Sequence, residues 1–161
     1  TMDMTQIPFQ TGYFDTVFCL YDSVNYLLDM SSLDRYFSET SRVLQVKGLL
    51  IFDIVTEVNS LSYFHETLDY EEFTQGDLVR ESFYDENNSM QYTKFIYYRH
   101  QEANRYIKLE EEHKQRIWTQ DEIKQSLTRS GYEILAQYDG FGFESPTKET
   151  ERIHWVLRKM G

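Results

Sequence analysis

Two near-continuous apolar runs, Phe14 to Tyr21 and Gly48 to Val55, flank a segment whose hydrophobic residues recur at helical spacing, and this pattern most narrows the possible folds. Strands that are apolar along their whole length are covered on both faces. Between them, Leu33, Tyr36, Phe37, Thr40, Val43 and Leu44 form one helical stripe. Ser31-Ser32-Leu33-Asp34 gives a capping signal at its start, and Gly48 marks the expected stop. A strand, a helix and a strand in that order predict parallel pairing through a right-handed crossover. A short helical segment is expected over Ser23 to Leu28, directly after the polar cluster Tyr21-Asp22-Ser23.

The middle of the chain has a different period. From Leu78 to Trp118 residues alternate, as in Val79, Glu81 and Phe83 against Arg80, Ser82 and Tyr84. A turn is expected at Asn87-Asn88 and another over Gln101 to Asn104, before a strand over Tyr106 to Ile117. The pattern predicts an antiparallel meander with one exposed face. Helical spacing returns at Thr119, where Thr119 and Glu122 form a capping box, Ile123 and Leu127 a buried stripe and Gly131 a C-terminal cap. Two last strands, Tyr132 to Tyr138 and Arg152 to Lys159, are expected to form an antiparallel hairpin at a sheet edge.

Length and charge bound what such a chain can do. The 161 residues, 40% of them hydrophobic, suffice for one domain with its own core. The apolar runs fall short of the roughly 20 residues that span a bilayer. A net charge of −11 argues against nucleic acid, because binding a polyanion relies on phosphate neutralisation. The single cysteine, Cys19, supplies neither an intramolecular disulfide nor metal-ligand spacing, so no metal is expected and a reducing cytoplasm fits. The acidic run Glu110-Glu111-Glu112 reads as solvated surface.

Several strings, in order along most of the chain, resemble the C-terminal two thirds of a class I S-adenosylmethionine-dependent methyltransferase. They are Asp3-Met4-Thr5 with Ile7-Pro8-Phe9, then Phe14 to Leu27 reading FDTVFCLYDSVNYL, then Arg42-Val43-Leu44 leading through Gly48 into Ile51-Phe52-Asp53. His113-Lys114-Gln115-Arg116, Pro146-Thr147 and Glu151-Arg152 complete the series. The resemblance implies an α/β, Rossmann-like sheet holding the family's fourth to seventh strands, with an inserted antiparallel β-meander. Residues 1–161 would form a partial domain with 70–118 as the insertion or lid. The family's glycine-rich turn and its ribose-binding acidic residue have no counterpart before Asp3. The expectation is therefore a piece of a longer protein that pairs with a missing segment, or self-associates, through an exposed sheet edge.

The resemblance also implies site residues. Asp3 and Met4 would contact the adenine of S-adenosylmethionine, and Cys19, Leu20 and Tyr21 would lie beside its sulfonium and methyl group. Ser23, Asn25, Tyr26 and Arg116 would face a small-molecule substrate. His113 is the candidate general base, and Asp22, the second catalytic candidate, stands at the mouth of the site. Several have a plainer reading: Asp22 or Ser23 as a helix cap, His113 as a structural hydrogen-bonding group, Cys19 as an inert wall, and Arg116 as a partner of the Glu-rich strand beside it. The Tyr92, Phe95, Tyr97 and Tyr98 group is either sheet surface or an aromatic lid. A rival of another class is a non-enzymatic α+β domain that binds a ligand or a protein.

Overall fold

The computed structural model describes residues 2–102 and 105–161. The elements are β1 (Phe14–Cys19), a 3-10 turn (Ser23–Tyr26), α1 (Met30–Val43), β2 (Leu44–Val55), α2 (Glu57–Tyr63), β3 (Glu66–Phe73), β4 (Gly76–Asp85), β5 (Met90–Gln101), β6 (Arg105–Arg116), α3 (Gln120–Arg129), β7 (Tyr132–Asp139) and β8 (Arg152–Lys159). They build two sheets of four strands, ordered β1-β2-β8-β7 and β3-β4-β5-β6.

The expected crossover is present: β1 and β2 pair in parallel through α1. The final hairpin also forms, but β8 lies inside the sheet, antiparallel to both β2 and β7, and only β7 reaches the edge. One face of this sheet, with Phe52 and Trp155 stacked at 5.8 Å, packs on Phe37 of α1 and Leu127 of α3. Alternate residues of β2 and β8, among them Ile51, His154 and Val156, point the other way and are only half-buried.

Three boundaries differ from the sequence reading. The helix over Ser31 to Gly48 starts and stops earlier. Asp29 is its cap, accepting from the Ser32 N–H at 2.9 Å. Asp34, expected in the cap, accepts from Ser126 and Arg129 and ties α1 to α3. At the far end α1 stops at Val43. Between Phe14↔Leu44 and Thr16↔Leu49, β1 advances two residues while β2 advances five, so 45–48 loop out of register. Lys47 takes φ 68°, and a Cβ on Gly48 would stand 3.0 Å from the Asp15 carbonyl, so glycine serves close strand approach there and not helix termination. At α3 the expected capping box is complete, and Gly131 takes φ 72° just past the helix.

The meander begins at Glu66, earlier than the expected 70, and α2 precedes it. The sequence signal for β3 was present in Leu68, Tyr70 and Phe73, but these are exposed, because β3 is an edge strand among acidic residues. The turn at Asn87-Asn88 forms, with Asp85 accepting from both residues. The turn expected over Gln101 to Asn104 lies partly at Ala103 and Asn104, outside the described residues.

The meander turns an unusual face inward. Ser82, Tyr84, Gln91, Thr93 and Gln115 are buried, while Phe83 and Tyr92 on the opposite face stay exposed. A sheet face of hydroxyls and amides must find hydrogen-bond partners, and it finds them on α2, within the meander and at the corner after β1. Ser60 Oγ donates to Gln91 Oε1 at 2.8 Å, Tyr84 Oη to Glu57 at 2.9 Å, and Gln91 Nε2 to Gln115 Oε1 at 3.1 Å.

Candidate functional site

β1, β2 and β7 run in the same direction, so their C-terminal ends and the start of β8 share one edge of the sheet. Ligands of open α/β sheets bind beyond that edge. Here the meander stands over it, leaving a cleft of about 250 Å³ bordered by Asp22, Tyr26, Phe95, His113, Gln115 and Arg152.

The corner after β1 is strained. Tyr21 and Asp22 both adopt left-handed backbone angles, φ 59° and φ 48°, each costing a non-glycine residue about 1–2 kcal/mol. Such a conformation persists only where its surroundings fix it. The Asp22 N–H donates to Asp53 Oδ2 at 2.9 Å, Gln115 Nε2 donates to Asp22 Oδ2 at 2.5 Å, and Arg152 Nη2 donates to Asp22 Oδ1 at 2.9 Å. Arg152 Nη1 also pairs with Asp53. Asp53 is 1% exposed, and its Oδ1 has no partner among the described residues. Ser23 Oγ closes the corner by donating to the Leu20 carbonyl at 2.7 Å. The corner projects Leu20 and Tyr21 outward, 43% and 81% exposed.

Asp22 occupies the cap position of the 3-10 turn, yet its side chain makes no capping bond, so the plain helix-cap reading of its carboxylate fails. Asn25, expected at the substrate mouth, is fully buried. Its Oδ1 accepts from the Val55 N–H at 3.1 Å and its Nδ2 donates to the Arg116 carbonyl at 2.8 Å, stapling β2 to β6. The Arg116 side chain lies on the face of β6 opposite His113 and Gln115. Its guanidinium sits 4.2 Å from the Trp118 ring centre and donates to Glu122 at 2.9 Å, away from the cleft.

Tyr26 and His113 do meet. The phenol oxygen lies 2.6 Å from His113 Nδ1, and His113 Nε2 lies 3.4 Å from a Glu111 carboxylate oxygen. The Glu111 carboxylate beside Nε2 favours the tautomer protonated there, in which Nδ1 accepts from the phenol. Burial, with Asp22 and Glu111 nearby, raises the Tyr26 phenol above its ordinary range, so it stays protonated at neutral pH. Phe95 packs edge-on against His113 at 5.2 Å.

Asp3 is exposed, and its Oδ1 accepts from both the N–H and the hydroxyl of Thr5, which holds its carboxyl below the usual carboxylate range and leaves Oδ2 unengaged by these bonds. Met4 and Cys19 pack against the main core. Burial pushes the Cys19 thiol up, as befits a wall residue.

Asp53 and Arg152 entered the sequence reading only within the resembling strings, with no site role, and Gln91 had none. A usable signal existed for Asp53: a carboxylate inside an otherwise apolar strand is costly without a partner, so a cation was to be sought. Which cation, 99 residues away, only the fold reveals.

Comparison with known proteins fits this geometry. Residues 1–52 match the family model described as a methyltransferase domain. A protein of Geobacillus sp. (strain WCH70) named as a methyltransferase is 30% identical over 149 residues, covering 89% of this chain and 58% of the relative. An S-adenosylmethionine-dependent methyltransferase from Clostridium acetobutylicum shares the fold with a TM-score of 0.85 at 24% identity, over 99% of this chain and 63% of that one. The sugar N-methyltransferase KedS8 from Streptoalloteichus sp. aligns with a TM-score of 0.73 at 20% identity, over 99% of this chain and 61% of that one. The chain thus spans about three fifths of the length of the proteins it matches.

Proposed function

We propose that the chain belongs to the class I S-adenosylmethionine-dependent methyltransferases, and that the full-length protein containing it methylates a small molecule seated in the cleft between the main sheet and the meander. The observation that carries this reading is the position of the cleft. It opens at the shared C-terminal edge of β1 and β2, beside the strained Tyr21-Asp22 corner, and is bordered by groups able to take up a proton. In this reading β1, β2, β7 and β8 correspond to the family's fourth to seventh strands.

The residues present fit the donor. Exposed Asp3 has a carboxylate oxygen to offer an exocyclic amine, with Met4 against the ring. Leu20 and Tyr21 project where the sulfonium end would lie, with Cys19 behind them. The bound donor supplies an electrophilic methyl group, so this chain's main contribution is orientation, which can provide most of the acceleration.

An acceptor hydroxyl or ammonium must also lose a proton. Tyr26 accepts it while passing its own to His113 Nδ1, and Glu111 stabilises the resulting imidazolium through Nε2–H. Asp22 and Ser23 shape the mouth of the cleft. Asn25 and Arg116 act behind it, the first as a staple and the second at the start of α3. The likeness to a solved sugar N-methyltransferase supports a small, polar acceptor.

The test is a thermal-shift and calorimetric titration of the full-length protein with S-adenosylmethionine and S-adenosylhomocysteine. A ligand that binds only the folded state must raise the transition. Saturable binding is expected, and no shift at millimolar cofactor would refute the reading.

A further inference from the structure

The three groups that hold the strained corner after β1 are also walls of the cleft. Asp22, Gln115 and Arg152 all border it. Together with Asp53, whose Oδ2 accepts from the Asp22 N–H, they fix the left-handed Tyr21-Asp22 backbone: Gln115 reaches Asp22 Oδ2 from the meander, and Arg152 bridges Asp22 and Asp53 from β8. Two of these four residues come from strands of the main sheet, one from the loop and one from the meander, so no single element can set the corner alone. A planar guanidinium suits such bridging because its donors are fixed in one fork. The chain of bonds does not end there. Gln115 Oε1 accepts from Gln91, and Gln91 Oε1 accepts from Ser60 at the start of the segment that leads into the meander.

Resting on the methyltransferase reading, we propose that Arg152 is a positioning residue for methyl transfer. It presets the Leu20–Asp22 corner against which the methyl donor is seated, and through Asp22 and Gln115 it makes that corner one rigid unit with the acceptor cleft. Arg152 takes no proton and forms no bond with the reacting atoms. It acts through the backbone of Tyr21 and Asp22, and its loss lets the corner relax to right-handed angles and turn Leu20 and Tyr21 away from the edge. Because the cleft shares Gln115 and Asp22 with the clamp, a misplaced corner displaces donor and acceptor relative to each other. Small misalignments of that kind slow transfer more than they weaken binding.

The experiment uses full-length protein and three variants. Arg152→Lys keeps the charge but cannot bridge two carboxylates in one plane, Arg152→Met removes the bridge, and Gln115→Met leaves Arg152 in place while cutting the link to the meander. For each, kcat and acceptor KM are measured beside S-adenosylhomocysteine affinity and Tm. Arg152→Lys is expected to lower kcat about 10- to 100-fold with acceptor KM changed far less. Gln115→Met is expected to lower kcat severalfold with S-adenosylhomocysteine affinity retained. Unchanged kcat in both would overturn the proposal. If the Arg152 variants lose their folded state, Gln115→Met alone decides, and unchanged kcat there overturns it. The two readings fail separately: if the unmodified protein binds no S-adenosylhomocysteine, the methyltransferase reading falls, whereas if it is active and the variants match it, only the clamp falls.

Discussion

At the scale of single residues, the site rests on polar groups whose partners fix their chemistry. His113 alone offers two equivalent nitrogens, but the Glu111 carboxylate beside Nε2 favours the tautomer in which Nδ1 accepts from Tyr26. In the proposed reaction the pair, not the histidine alone, takes up the proton. Tyr26→Phe keeps the ring and its packing and removes only the hydroxyl. It is expected to lower kcat of the full-length enzyme about 100-fold with little change in S-adenosylhomocysteine affinity, measured by single-turnover kinetics and calorimetry. Tyr26 and His113 could both be named from the sequence, through the resemblance. That they touch could not, because they lie 87 positions apart, one in the 3-10 turn after β1 and the other in β6 of the meander.

At the scale of elements, short polar staples decide how segments seat on one another. Arg42 on α1 donates to the carbonyls of Ile7 and Phe9, and Glu39 accepts from the Ile7 N–H, so one ion pair pins the segment before β1 to the helix. Hydrogen bonding from Arg42 holds the Glu39 carboxyl down to about 2. A carboxyl depressed in the folded state adds stability that is complete above its ordinary value and fades as pH falls through the folded one. Solvent screening of this partly exposed pair keeps the contribution to about 1 kcal/mol. Glu39→Gln is therefore expected to cost about that much at neutral pH, and the difference should shrink between pH 4.5 and about 2 in denaturant titrations. The Asn25 staple is drier. Asn25→Ala leaves the Val55 N–H and the Arg116 carbonyl unpaired, and is expected to cost about 2–3 kcal/mol, read from the shift of the urea midpoint.

At the scale of the whole molecule, a mixed sheet and a polar-faced meander meet over a shared edge and enclose the candidate site between them. β1 pairs on one side only among the described residues, and its Phe18 is 62% exposed. An apolar edge strand is a template for further pairing. Residues 1–161 expressed alone are expected to self-associate, and Phe18→Lys should shift the population toward monomer in sedimentation velocity; an already monomeric parent would contradict this. Much of this architecture is legible in one dimension. Continuous apolar runs, a 3.6-residue stripe and a period-two middle segment are local consequences of burial, so β1, α1, β2, the meander, α3 and the last hairpin could all be read from them. The errors fall where local signals compete: Asp29 and Asp34 both suit a cap, and only the packing of α3 against α1 assigns the second to Arg129. Sequence also placed Asp22 after β1 and Arg152 at the start of β8, but not their union with Asp53 and Gln115. That union needs Asp53 and Arg152, 99 residues apart, to share one sheet edge and the meander to stand over it, and the direction of each pairing is set by the packing of whole elements. The sequence by itself determined which segments are buried and with what period; the tertiary structure alone decided which polar groups face one another, because a carboxylate's partner depends on position in space and leaves no periodic trace along the chain.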